Sequence, residues 1–266
     1  MRGVILLLTM MAATLVLASG VALAVGVGSA AAQSSVVGPG ESIQKAINAA
    51  DPGDTIVVRG VHREDVVIRK NGIKLRGDDA VLEAPPKSKA DSLCSRFSGS
   101  PEGICVLGDV NFDNGKVNEY VKGVTISGFT IRGFKIPSID LTGTRDATAT
   151  KNHVLGGGPI VMNFSVGSKF LSNVVRGAVE DGIGIDTSRD VTIAGNDVEG
   201  SSENALTLEN GDIDVTSRTT TSRTTTSACS SKNRPGPGSS PTTSRTAPYY
   251  LSAWSNRPAP QSSPTT

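Results

Sequence analysis

Two histidines, one tryptophan and three cysteines are spread over 266 residues, and each scarcity excludes something. A copper site wants several imidazole, thioether or thiolate groups converging. The four methionines do not supply them, because Met1, Met10 and Met11 fall in an N-terminal apolar stretch and Met162 falls in a core pattern. Of the two histidines, His62 and His153, the second precedes an inward Val154 and reads as an outward turn residue rather than a ligand. No histidine or further cysteine stands at ligand spacing from Cys94 and Cys105, so no metal site is expected there. Aromatic residues are only 4% of the chain, which removes the platforms that neutral-sugar grooves usually use. Phe129, Phe134, Phe164 and Phe170 are assigned to packing.

Acidic side chains are absent before Glu41 and after Asp214. Between those two residues 25 acidic groups face 19 basic ones, whereas the segment from Arg218 to Arg257 carries six basic groups and no acid. The near-zero net charge therefore joins two different materials. An acidic body argues against nucleic acid as a partner.

At the N-terminus Arg2 precedes an apolar stretch from Val4 to about Val27, and Ala30, Ala31 and Ala32 offer small residues before Gln33. This reads as an export signal over 1–32, with a secreted or extracytoplasmic product. The stretch is also long enough to remain as a membrane anchor, which would be the chain's one membrane contact. In an exported protein Cys94 and Cys105, flanking a loop-like stretch, are expected to form a disulfide, and Cys229 has no evident partner.

Ile43, Ala46, Ile47 and Ala50 recur at helical spacing and Asp51-Pro52-Gly53 stops the run, so a short helix over about 42–50 is predicted. Short β-branched runs follow at 55–58, 65–68, 72–75 and 80–82, with no helical pattern between them. Four segments beginning at Val124, Ala147, Ser168 and Val191 then align, their starts 23, 21 and 23 residues apart. One column holds Phe129, Asn152, Asn173 and Asn196, where a short amide can hold a turn and bond to its counterpart in the next coil. Two positions later come Ile131, Val154, Val175 and Val198. A second set of inward pairs is Ile139 with Leu141, Ile160 with Met162, Ile183 with Ile185, and Leu206 with Leu208. Stacked coils of about 22 residues are the all-β solenoid that such a period implies.

The repeat, together with the opening Gly40-Glu41-Ser42-Ile43-Gln44-Lys45-Ala46-Ile47, resembles the pectate-lyase-like right-handed parallel β-helix superfamily. The resemblance covers Val36 to about Val215 and implies a right-handed parallel β-helix, here a domain over 33–215, whose cap is the short helix. It leaves activity open among lyases, hydrolases, epimerases, tailspikes, binding proteins and accessory proteins of metal-site assembly.

Beyond Val215 the repeat gives way to Ser, Thr, Pro and Arg, and a disordered tail over 216–266 is expected. Ile213-Asp214-Val215 begins a fifth repeat that then vanishes, as a frameshift in the gene would produce.

Alternation sets out three outward columns beside the second inward set: Asp140, Val161, Gly184 and Thr207; Thr142, Asn163, Asp186 and Glu209; and Ser138, Pro159, Gly182 and Ala205. Asp186 and Glu209 should stack as neighbouring carboxylates one coil apart, about 4.8 Å, with Asn163 beneath. Asp140, Asn163, Asp186 and Glu209 are the candidate ligand-binding residues. Their bland reading is solvated polar residues where strands meet turns. The resemblance adds Asp181 and Glu203 to Asp186 and Glu209 as catalytic candidates, since Glu180-Asp181-Gly182-Ile183 is similar to the Asp-Gly-Ile strand start of polygalacturonase-type hydrolases. The later Gly-His-Gly and Arg-x-Lys elements of those hydrolases are absent. A lyase would need a basic residue, for which Lys169 and Arg176 lie nearest, and would call for Ca²⁺; otherwise no cofactor is expected. The leading expectation is a binding or structural role toward a polysaccharide or envelope glycan.

Overall fold

The structure is a computed structural model describing residues 31–85, 94 and 99–210, with the backbone alone of short strands at 215–218, 221–223 and 230–231. Residues 1–30 of the export signal or anchor expected over 1–32, and Cys229, lie outside the described residues. Among the described residues no helix is long and apolar enough to cross a membrane.

The chain opens with β1 (Ser34–Val37) and α1 (Ile43–Ala49). Helix α1 buries Ile43 and Ile47 and is capped by Ser42, whose hydroxyl accepts from the Lys45 N–H at 3.2 Å. The Glu64 carboxylate completes the cap, accepting from Ser42 Oγ at 2.9 Å and from the Ile43 and Gln44 N–H groups at 2.7 and 3.3 Å. At the other end Lys70 Nζ donates to the Asn48 and Ala50 carbonyls. Glu64→Ala leaves these first-turn donors without an acceptor and is expected to lower the unfolding free energy by about 1–2 kcal/mol. Urea denaturation monitored by circular dichroism measures it; an unchanged midpoint would remove Glu64 from the cap.

The remaining strands are β2 (Thr55–His62), β3 (Val66–Ile68), β4 (Lys74–Glu83), β5 (Ile104–Leu107), β6 (Asp109–Asn111), β7 (Lys116–Glu119), β8 (Val121–Lys122) and β9 (Thr125–Arg132). The chain continues through β10 (Ile139–Thr142), β11 (Thr144–Arg145), β12 (Thr148–Thr150), β13 (His153–Leu155), β14 (Ile160–Asn163), β15 (Lys169–Leu171) and β16 (Val174–Arg176). It closes with β17 (Ile183–Asp186), β18 (Val191–Ala194), β19 (Asp197–Glu199), β20 (Leu206–Glu209), β21 (Val215–Arg218), β22 (Thr221–Arg223) and β23 (Ser230–Ser231). Apart from the antiparallel hairpin β6–β7, they form a parallel β-solenoid of about seven turns. One large sheet contains β1, β2, β4 and β9 and then two half-strands per coil; a second runs β3-β5-β10-β14-β17-β20-β23.

Parallel register stacks like on like. In the large sheet Ile56, Leu75, Ile126, Ala149, Phe170 and Ile193 form one inward column, and Leu82, Ile131, Val154, Val175 and Val198 another. In the second sheet Val66, Ile104, Ile139, Ile160, Ile183 and Leu206 stack beside Ile68, Val106, Leu141, Met162, Ile185 and Leu208. Phe129, Phe134 and Phe170 are core residues, while the half-buried Phe164 packs edge-on against Phe112 at 6.0 Å between ring centroids.

The asparagine column is a buried ladder. Asn173 Oδ1 accepts from the Asn152 N–H and Nδ2, both at 3.1 Å, and Asn196 Oδ1 does the same for Asn173 at 2.9 and 3.0 Å. Each Nδ2 also donates to a carbonyl of the preceding coil: Ile126, Ala149 and Phe170 in turn. A second ladder, of hydroxyls, lies at the opposite corner. Ser165 Oγ accepts from the Thr144 N–H and Ser188 Oγ from the Ser165 N–H, both at 3.0 Å.

Two departures from the sequence expectation have physical causes. The runs at 72–75 and 80–82 are one strand, β4, interrupted by a bulge. The column Ser138, Pro159, Gly182 and Ala205, expected outward, is enclosed. Ser138 Oγ donates to the Gly158 carbonyl, and a Cβ on Gly182 would meet Ser201 Oγ at 2.8 Å. These residues line the corner before the strand, where the chain folds onto itself. At the C-terminal end β21, β22 and β23 pair with β18, β19 and β20. Ser217, Ser222 and Ser231 thereby occupy the registers of Ile193, Val198 and Leu208.

Candidate functional site

Outward residues of the second sheet fall into two environments. Over β5 and β10 every residue is buried, outward ones included. Cys94 is joined to Cys105 of β5 by a disulfide with a Cα–Cα distance of 6.5 Å, and these two cluster with Leu107 and Val67. Asp140, in register with Cys105, is buried at 8% exposure. Its Oδ1 accepts from Thr142 Oγ1 at 2.6 Å and from Asn163 Nδ2 at 3.4 Å, and its carboxyl is hydrogen-bonded to that of Glu102, itself buried. Burial pushes the Asp140 carboxyl up to about 6, against the hydrogen bonds from Thr142, Glu102 and Asn163.

Over β14, β17 and β20 the outward residues are partly exposed, apart from the buried Thr207. Asn163, Asp186 and Glu209 stand in one register column and are partly exposed. Asn163 links the two environments, since its Nδ2 also donates to Thr142 Oγ1 at 3.1 Å. The Asp186 carboxyl is raised above its ordinary range by burial, which outweighs the hydrogen bond from Thr187 Oγ1, and the negative charge of Glu209 raises it further. In the adjacent column Gly184 leaves a gap between Val161 and Thr207, where a Cβ would only touch Val161 Cγ1 at 3.4 Å. The hairpin β6–β7 closes one side, with Phe112 against Phe164 and Gly115 beneath the same ring.

The four ligand-binding candidates therefore separate: Asn163, Asp186 and Glu209 share the open stretch, and Asp140 is sealed. Of the further catalytic candidates, Asp181 accepts from the Asn204 N–H and Nδ2, both at 3.0 Å, which ties two coils together. Glu203 is exposed one coil on. Arg176 is held by Asp197 and by Glu199 of the next coil, which keeps its guanidinium charged, while Lys169 is exposed. Glu102 was not legible, because it lies in an insertion with no counterpart in the repeat. The hairpin had a signal in Asn114-Gly115, the commonest tight-turn pair.

A family model described as periplasmic copper-binding protein (NosD) matches residues 47–231. The chain belongs to the NosD family. No curated protein matches it significantly. Among solved structures it is similar to a proposed glycosyl hydrolase of Parabacteroides merdae ATCC 43184, at 13% identity and a TM-score of 0.48, over 68% of this chain and 86% of that one. It is also similar to the A-module of mannuronan C-5 epimerase AlgE6 of Azotobacter vinelandii, at 14% identity and 0.44, over 70% of this chain and 51% of that one. Pectate lyase Pel9A follows at 15% identity and 0.35, over 71% and 62%. The chain spans about half the length of the epimerase module.

The NosD description implies copper in a periplasmic, extracytoplasmic protein. The described residues do not fit a copper site. Cys94, Glu102 and Cys105 bring one ligand atom each within 4.8 Å of one another, but both sulfurs are spent in the disulfide and neither is a thiolate. His62 is buried with Nδ1 and Nε2 each 3.0 Å from a backbone carbonyl oxygen, those of Glu41 and Arg59. Met162 is core, and His153 is exposed.

Proposed function

We propose that this NosD-family solenoid is exported to the periplasm and binds a polysaccharide or envelope glycan along the open stretch of its second sheet. The observation that carries the reading is the column Asn163, Asp186 and Glu209, an amide and two carboxylates repeated at coil spacing beside the gap at Gly184. Carboxylates so placed accept paired sugar hydroxyls. They can also take Ca²⁺, which would offset both the burial that chiefly raises Asp186 and the Glu209 repulsion that adds to it, and would bridge to a uronate. A lyase, hydrolase or epimerase would add a base and a proton donor to this set. Arg176, tied to its ion pairs, does not serve as that base.

Affinity electrophoresis through polygalacturonate, alginate and a neutral glucan, each with and without Ca²⁺, tests this reading. Retention is expected on an acidic glycan, weakened at least about fivefold by Asp186→Asn with Glu209→Gln. Retention on none of the three, or retention indifferent to both substitutions, overturns it. Unsaturated ends in the gel would instead identify a lyase, and new reducing ends a hydrolase. Family membership favours a second reading, an accessory protein of metal-site assembly. That reading requires a partner to supply the metal ligands, since those described here do not.

A further inference from the structure

Away from the second sheet, β4 carries a bulge. Arg76 faces Ser127 and Ala80 faces Phe129, so Gly77, Asp78 and Asp79 stand against the single residue Gly128. The bulge throws Asp78 outward into an ion pair with Arg59 at 2.8 Å and sets Asp79 in a left-handed bend with φ 55°. Gly128 takes a left-handed bend as well, with φ 77°, and a Cβ there would lie 2.5 Å from the Gly77 carbonyl oxygen. This corner position must therefore be bare, whereas the equivalent residue of the next coil, Lys151, carries a long side chain from the same kind of bend. Bulges commonly re-aim side chains beside functional sites.

The result is a cleft of about 310 Å³ with the bare Gly128 at its centre. Asp79 and Val81 line it from β4, Gly128 and Thr130 from β9, and Lys151 and His153 from the coil after that. Asp79, Lys151 and His153 come from two different coils, and none of their side chains has a hydrogen-bond or ion-pair partner among the described residues. A carboxylate, an ammonium and an imidazole thus converge on one concavity without being used by the fold. The volume is at the small end for ligand pockets and suits one monosaccharide ring.

The mixed charge narrows the ligand. A small inorganic anion would meet Lys151 but also the like charge of Asp79. A neutral sugar would leave the ammonium unmatched. A sugar acid satisfies all three groups, with its carboxylate toward Lys151, its hydroxyls toward Asp79 and His153, and its C–H face on Val81 and the Thr130 methyl. We infer that this cleft is a binding subsite for a single sugar-acid ring, separate from the open stretch of the second sheet.

Titration of the ¹⁵N-labelled, disulfide-intact protein with D-glucuronate tests it, with D-glucose and inorganic phosphate as controls. Glucuronate is expected to give saturable amide shifts at Gly128, Thr130, Lys151 and His153, and the controls are not. Lys151→Met is expected to weaken binding about tenfold, the usual scale for losing a charge-assisted hydrogen bond, and Asp79→Asn to weaken it less. Both side chains are exposed, so neither substitution should disturb the fold. The double substitution at Asp186 and Glu209 should leave the titration unchanged, which separates this inference from the glycan reading above. Shifts equal with phosphate, shifts confined to other residues, or affinity untouched by Lys151→Met would overturn the assignment.

Discussion

Asn173→Leu is expected to lower the unfolding free energy by about 4 kcal/mol, more than removal of any exposed side chain of this chain. Leucine is close in size to asparagine, so cavity formation contributes little. The loss comes from polar groups left behind in a dry corner. Asn173 is fully buried, and its Oδ1 is the acceptor for both the N–H and Nδ2 of Asn152. Its Nδ2 donates to the Ala149 carbonyl and to Asn196 Oδ1. The substitution strands donors on the coil before and acceptors on both sides, each costing about 1–3 kcal/mol before relaxation. Asn152 and Asn196, at the ladder's ends, should respond less, because each has one asparagine neighbour instead of two. Urea denaturation of the three leucine variants measures the order. A cost at Asn173 below about 1 kcal/mol would show that the ladder is not a source of stability.

Asp140→Asn is expected to change its effect with pH. In the folded chain burial raises the Asp140 carboxyl to about 6 from an ordinary value of 3.8. Between those values the folded chain holds a proton that the unfolded chain has released. The group's contribution to stability is therefore complete below about pH 4 and is lost as pH rises through about 6. Above that, holding a buried charge beside Glu102 costs on the order of 2–3 kcal/mol. Asparagine keeps the shape, accepts from Thr142 and Asn163 as the aspartate does, and offers an N–H to Glu102 without adding charge. The variant should match the parent near pH 4 and exceed it in stability by roughly that amount at pH 8. Asp186 is raised in the same direction, so the difference between variant and parent, not the parent's profile alone, isolates Asp140. Equal stability of the two proteins at pH 8 would mean that the carboxyl pair is not sealed.

Period-2 alternation within a repeat of 21–23 residues was enough to place Ile160, Ile183 and Leu206 in one column and Asn163, Asp186 and Glu209 in another, because parallel coils stack residue on residue. The asparagine ladder was legible for the same reason. The hydroxyl ladder of Thr144, Ser165 and Ser188 was not, since serine and threonine are ordinary in turns and nothing in their spacing distinguishes a buried hydroxyl from a solvated one. The alternation also placed Ser138, Pro159, Gly182 and Ala205 outward by extending the strand one residue into a corner, where period 2 no longer holds.

The sequence alone determined the solenoid, its capping helix, its inward columns and the carboxylate pair on the second sheet, all of which follow from a repeat in which each coil makes the same local choices. Only the tertiary structure decided which outward residues meet solvent. Asp140 and Asp186 lie in adjacent outward columns, yet one is buried beside the Cys94–Cys105 disulfide and the other is partly exposed. The cleft at Gly128 likewise depends on the two-residue bulge of β4 meeting a bare corner one coil away. Both features arise where the repeat is broken, and a break in periodicity has no partner in the pattern from which its packing could be read.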